Sequence, residues 1–173
     1  SLGGGIGFDI AARYPDRVRK LVYAGGACYK RDGFYPEMLA NQEPPPPEVF
    51  AETPWYQAYM QIAPHPEHWA TLVAKNAAID QTFTGWSADE VRAIAAPTLL
   101  IIGDSDITRP EHVAEMFRLL GGGVRGDIYG LPRAQLAVLP GTTHVTLVDR
   151  TDWLYAMVEA FLAAPMAEAP PKG

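Results

Sequence analysis

Three side chains in this sequence have the types needed to cleave an acyl bond: Ser1, Asp106 and His144. A serine hydroxyl attacks a carbonyl carbon only when an imidazole takes its proton. That imidazole in turn needs a carboxylate to fix its tautomer and stabilise its charge. The chain order Ser, Asp, His is one of three arrangements that do this work. Ser1 opens the small-residue segment Ser1-Leu2-Gly3-Gly4-Gly5, although a lone serine at this position could equally be an arbitrary first residue. Asp106 stands in the loop Gly103-Asp104-Ser105-Asp106-Ile107-Thr108-Arg109-Pro110, where Asp104 competes with it or simply caps the loop. His144 closes Gly141-Thr142-Thr143-His144, and its alternative role is that of a structural loop histidine.

The remaining histidines suggest less. His65 and His68 in His-Pro-Glu-His are three apart, a spacing that could put two metal ligands on one helix face. With no cysteine nearby and Pro66 between them, the pair reads as the start of a surface helix, and no metal or organic cofactor is expected. His112, near a helix start, reads as solvated. The run Gly121-Gly122-Gly123-Val124-Arg125-Gly126 follows a helix rather than a strand, so it lacks the context of a phosphate-binding loop.

The elements that must position these residues alternate. Ile6, Ile10 and Tyr14, spaced by four, with Ala11 and Ala12 beside them, predict a first helix ended by Pro15. Its glycines would weaken an isolated helix, and make sense if the helix lies very close to another backbone. Residues 18–23 (VRKLVY) predict a strand, with a break at Gly25-Gly26. The nearly continuous apolar run 98–103 (TLLIIG) predicts a strand buried on both faces of a parallel sheet. Pro110 then opens a helix with Val113, Met116, Phe117 and Leu120 on one face. Residues 135–139 (QLAVL) predict a third strand ending at Pro140-Gly141. A last helix spans 152–163, with Leu154, Met157, Val158, Phe161 and Leu162 in one stripe and Thr151 as N-cap. Strands alternating with helices argue for a parallel α/β sheet, which places its chemistry just past the carboxyl ends of strands.

Between these parts, residues 29–95 show no strand signal and read as a helical insertion, with short helices near 35–42, 48–62, 66–79 and 87–94. The insertion carries the spacer Pro44-Pro45-Pro46-Pro47, flanked by Glu43 and Glu48, and ten of the chain's eighteen aromatic residues. Trp55, Tyr59 and Trp86 among them could shape an apolar acyl pocket or merely pack the insertion. The Pro- and Ala-rich residues 164–173 predict a disordered tail.

The composition is that of a soluble globular chain: 173 residues, 48% apolar, 20% charged. A net charge of −6 argues against nucleic acid and against an anionic membrane surface as partners. No apolar run reaches the roughly 18 residues of a membrane span. The single cysteine, Cys28, excludes an internal disulfide and fits a reducing, cytoplasmic setting. The first residue is Ser rather than Met, so a targeting segment could have preceded it.

Four segments in order resemble the α/β-hydrolase fold family: Ser1-Leu2-Gly3 with its following glycines, the Tyr-Pro-Asp-Arg-Val-Arg-Lys-Leu-Val run at 14–22, the Ala-Pro-Thr-Leu-Leu-Ile-Ile-Gly-Asp-Ser-Asp run at 96–106, and Pro-Gly-Thr-Thr-His at 140–144. The family places its nucleophile in Gly-x-Ser-x-Gly on a sharp strand-to-helix turn, and Ser1-Leu2-Gly3 matches the second half. The resemblance implies Ser1 as nucleophile, Asp106 as orienting acid, His144 as general base, and the Leu2 amide as one oxyanion-hole donor. Asp32 occupies a position that some family members use for the acid. Serine at the elbow argues against the family's dehalogenase and epoxide-hydrolase chemistries.

The expected fold is therefore α/β: the C-terminal part of an α/β-hydrolase parallel sheet, about three strands, with a helical lid. Residues 1–28 and 96–163 would form the core and 29–95 the lid. The expected function is an esterase-like serine hydrolase acting on a small ester or related carbonyl substrate through an acyl-enzyme. Two alternatives remain. One is an N-terminal-nucleophile hydrolase using the amine of Ser1 as base, although such folds begin with a strand. The other is a non-catalytic module whose open sheet edge and uncovered apolar face drive self-association or pairing with a missing N-terminal half.

Overall fold

The computed structural model describes residues 1–40 and 46–166. Glu43, Pro44 and Pro45 of the spacer, and residues 167–173 of the expected tail, lie outside the described residues. The chain forms two compact units, Ser1–Tyr35 with Gly85–Gly173, and Pro36–Thr84. No helix among the described residues is long and apolar enough to cross a membrane.

The first unit is built on a parallel sheet of three strands in the order β1 (Leu21–Ala24), β2 (Thr98–Ser105), β3 (Ala134–Thr143). Its helices are α1 (Leu2–Arg13), α5 (Ala88–Ala93), α6 (Pro110–Leu119), the short α7 (Gly126–Tyr129) and α8 (Thr151–Ala163). The central strand shows why its sequence is almost wholly apolar. Leu100 and Ile102 enter a cluster with Phe8, Val91, Ile94, Val113, Met116 and Leu120. Leu99 and Ile101 point the other way, to Leu139, Leu147 and Phe161. Successive strand residues face opposite sides, so a strand covered on both must be apolar throughout.

The strand ends differ from expectation at two places. β1 starts at Leu21 rather than Val18, because Pro15–Arg17 forms a 3-10 turn first. β3 runs past Leu139, through Pro140 and Gly141, to Thr143. Within the described residues β3 lies at the edge of the sheet, where a proline's missing N–H interrupts no ladder.

Helix α1 is turned around its axis relative to the periodic reading. Ile6, Ile10 and Tyr14 are exposed, at 54%, 39% and 60%, while Phe8 and Ala11 are buried. The half-buried Gly4 and Gly7, which the hydrophobic pattern does not register, lie against β1 as well. A β-carbon on Gly4 would fall 2.2 Å from the Tyr23 ring, and one on Gly7 3.0 Å from Leu21. Glycine is required here by close approach to β1.

The helix read near 87–94 also belongs to this unit. α5 sends Val91, with Ile94 just beyond its end, into the core, and Tyr29 is buried there as well. The second unit is accordingly shorter than the expected 29–95. It comprises α2 (Pro36–Ala40), α3 (Pro54–Ile62) and α4 (Trp69–Thr82) with intervening 3-10 turns at Pro47–Phe50 and Pro66–His68. The helix expected over 48–62 is broken ahead of Pro54, which holds Thr53 extended. The Thr53 hydroxyl accepts from the Tyr56 amide at 3.3 Å and so caps α3. Around Trp69 gather the rings of Phe50, Tyr56 and Tyr59, with centroids 5.1–6.1 Å away.

His112 is not solvated. It is 3% exposed, and its ring stacks on Tyr29 at 4.6 Å. Its Nε2 accepts from the Tyr29 amide at 3.3 Å and lies 3.6 Å from Cys28 Sγ. The loop after β1 folds over it, which a position near a helix start does not reveal. Burial holds its pKa below the ordinary value, against the opposing pull of Glu115 and Asp32, with Lys30 and Arg109 adding to the lowering. The same burial pushes the Cys28 thiol up to about 11.

Two outcomes follow from this packing. Gly4→Ala, which would gain about 1 kcal/mol in an exposed helix, is expected to lose about 1–3 kcal/mol here through overpacking against Tyr23, measured by urea unfolding. For His112, the unfolded chain takes up a proton before the folded one does. Stability is therefore complete above pH ~6.5 and falls as pH drops below it. His112→Gln should flatten that part of a stability-against-pH curve, and an unchanged slope would show that His112 does not titrate as described.

Candidate active site

Ser1, Asp106 and His144 come together at the carboxyl ends of the strands. Ser1 immediately precedes α1, its carbonyl accepting from the Gly4 and Gly5 amides at 2.8 and 3.2 Å. Its backbone nitrogen donates to the Ala24 carbonyl at 2.6 Å, which ties it to the end of β1. The hydroxyl caps no helix amide and faces the imidazole instead, with Ser1 Oγ 3.1 Å from His144 Nε2. His144 Nδ1 is 2.8 Å from Asp106 Oδ1. With the proton on Nδ1 donated to the carboxylate, Nε2 is left as acceptor for the serine O–H.

Asp106 has a fully buried side chain and His144 a partly exposed one. The carboxylate accepts three backbone amides besides the imidazole: Ile107 at 2.7 Å, Gly26 at 3.1 Å and Gly103 at 3.3 Å. Burial works to raise its pKa. The hydrogen bonds from His144 and these amides, with the attraction of the imidazole, prevail and hold it below the usual value. Asp106 is thus charged at neutral pH.

Gly26 is a participant that the sequence showed only as a break. Gly25 and Gly26 both have positive φ, +74° and +63°, and together turn the chain so that the Gly26 N–H points at Asp106. A β-carbon on Gly26 would stand 3.1 Å from His144 Cε1, so the same glycine leaves room for the ring. The repeated glycine was the available signal; its purpose depended on contacts eighty residues away.

The other candidates are placed as follows. Leu2 is the first residue of α1, where its amide has no intrahelical acceptor. Asp104 takes no part in the Ser1–His144–Asp106 line and accepts from the Gly141 and Thr142 amides at 2.9 and 3.1 Å. Asp32 is exposed and pairs with Lys30 at 3.4 Å. Trp55 and Tyr59 lie on α3 of the second unit. Trp86 lies in the first unit, edge-on to Phe8 at 4.8 Å, its indole N–H on Asp9 at 3.3 Å. Among the described residues, His65, Glu67 and His68 form the single group with metal-ligand character; all three are exposed, and Glu67 Oε1 is 3.1 Å from His65 Nδ1.

No family model and no curated protein matches the sequence. Solved structures do match the fold. MGS-M2, an α/β-hydrolase enzyme from a Medee basin deep-sea metagenome library, is 19% identical with a TM-score of 0.58, over 98% of this chain and 65% of its own. The enol-lactonase of Burkholderia xenovorans LB400 is 20% identical, TM-score 0.54, over 95% and 64%. The carboxylesterase CesB of Bacillus subtilis is 17% identical, TM-score 0.57, over 96% and 59%. The chain has the α/β-hydrolase fold. It spans less than two thirds of the length of these three structures.

Gly26→Ala is expected to destabilise the chain by about 1–2 kcal/mol from the positive φ alone. It should also shift the ring resonances of His144 in NMR spectra; unchanged resonances would show that Gly26 does not shape this surrounding.

Proposed function

We propose that this chain carries the reaction centre of a serine hydrolase acting on an ester or lactone through an acyl-enzyme. The observation that carries the reading is the continuous line from Ser1 Oγ through His144 to buried, charged Asp106, at 3.1 and 2.8 Å. Two of the fold's neighbours, a carboxylesterase and an enol-lactonase, agree in substrate type.

In this reading His144 Nε2 takes the proton as Ser1 Oγ bonds to the carbonyl carbon, and the carbonyl oxygen becomes an oxyanion beside the Leu2 N–H. The imidazolium, held by Asp106, returns the proton to the departing alcohol oxygen as the C–O bond breaks. Water then repeats the sequence on the acyl-serine, releasing the acid and restoring the hydroxyl. The rival base, the amine of Ser1, is less supported, because the Ser1 hydroxyl faces the His144 imidazole at 3.1 Å.

A fluorophosphonate probe is expected to label Ser1, located by peptide mass spectrometry. Ser1→Ala and His144→Ala should abolish labelling, and Asp106→Asn should slow it by about 10³–10⁴-fold. Folded wild-type chain that takes up no label would overturn the reading.

A further inference from the structure

We infer that Asp104 and Arg150 are positioning residues for His144, acting as a two-sided clamp on Gly141-Thr142; this rests on the reading of His144 as the general base. His144 follows the end of β3 by one residue. The register between β2 and β3 is regular up to Gly103 and slips between Gly103 and Ser105. The pairing passes from Gly103↔Leu139 to Ser105↔Thr143, so the ladder skips residues 140–142 just ahead of the imidazole, and side chains take over there.

On one side, the two oxygens of Asp104 accept from successive amides, Gly141 at 2.9 Å and Thr142 at 3.1 Å. On the other, Arg150 donates to the Gly141 carbonyl at 2.8 Å and to the Thr142 hydroxyl at 3.0 Å. Both residues thus grip the same dipeptide through different atoms. The Arg150 guanidinium is itself steadied over the Trp153 ring, 5.3 Å from its centroid. The two amides hold the Asp104 carboxyl below its usual pKa, so it remains a double acceptor through the neutral range.

Two further features confine the movement that the clamp must resist. A β-carbon on Gly103 would fall 1.9 Å from the Thr142 carbonyl oxygen, so β3 can settle against β2 only because residue 103 has none. Beyond the clamp, Thr143 and Thr146 exchange amide-to-hydroxyl bonds at 2.9 and 3.2 Å, bracketing His144. The histidine thus sits in a short arch, and Asp104 and Arg150 hold its leading foot. Asp104 is exposed, and its carboxylate accepts from the Gly141 and Thr142 amides and the Ser105 hydroxyl rather than from the Ser1–His144–Asp106 line, so its proposed influence on reactivity runs through the placing of His144.

The test pairs a structural readout with a chemical one on the full chain. The structural readout is the low-field NMR resonance of the His144 Nδ1 proton shared with Asp106, together with the His144 titration curve. The chemical readout is the rate of fluorophosphonate labelling. In Asp104→Ala the low-field resonance should be lost to exchange with water. The labelling rate should fall about tenfold to a hundredfold, the scale expected of a small misplacement. Arg150→Lys, which keeps the charge but not the fork, should give an intermediate result. Thermal unfolding of both variants shows whether the fold persists.

A wild-type resonance and wild-type titration in Asp104→Ala would overturn the clamp, whatever the labelling. Wild type with the resonance but without labelling would instead overturn the hydrolase reading, while the resonance in the variants still decides the clamp. Absence of the resonance in wild type would overturn the clamp, because no aimed imidazole would exist for it to hold.

Discussion

A carboxylate removed from water is costly unless every oxygen finds donors, and the buried charge of Asp106 organises the end of this sheet. Its donors come from all three strands. Gly26 follows β1, Gly103 and Ile107 belong to β2 and its loop, and His144 follows β3. The three strand ends can satisfy the carboxylate together only when the register of the whole sheet is correct. A slip of one residue in either pair would leave a buried charge short of partners. The interaction that orients the imidazole is thus also one that ties the strands to each other, and site and fold share a single constraint.

Around that charge the chain relies on backbone rather than side chains. Two consecutive glycines with positive φ aim one amide at Asp106 and leave space for the imidazole ring. Bulk is avoided wherever elements meet closely: Gly4 against Tyr23, Gly33 against His112, Gly103 against Thr142. The second unit is assembled on another principle. α3 and α4 have no fully buried residue, and aromatic edges meeting on Trp69 replace an aliphatic core. Local openings of low free energy are drawn from segments with few buried contacts, and this unit has that character.

Much of this was legible in the sequence, for physical reasons. β2 could be recognised because a strand covered on both faces leaves a long apolar run, and Asp106 and His144 because they follow strands in short polar loops. The interaction of Gly26 with Asp106 was hidden, since a glycine pair advertises a turn but not its target. His112 reads as solvated because a helix start is usually wet, and here the loop after β1 covers it. The helix near 87–94 reads from the sequence as part of the insertion, whereas Val91 and Ile94 belong to the main core. In these three cases a contact between residues far apart in the chain is the reason, whereas the later start of β1 and the break ahead of Pro54 have local causes.

Helix α1 inverts the usual relation between a helix and its tolerance of change. In an ordinary amphipathic helix the large apolar residues are the ones that resist replacement. Here Ile6 and Ile10 stand outward, while the face pressed on β1 contains Gly4 and Gly7, residues that offer nothing to a hydrophobicity count. Under random mutagenesis and selection for folding, Ile6 and Ile10 would drift freely, while Gly4 would stay as fixed as the buried Phe8. The helix would then carry part of its evolutionary memory in a side chain it lacks.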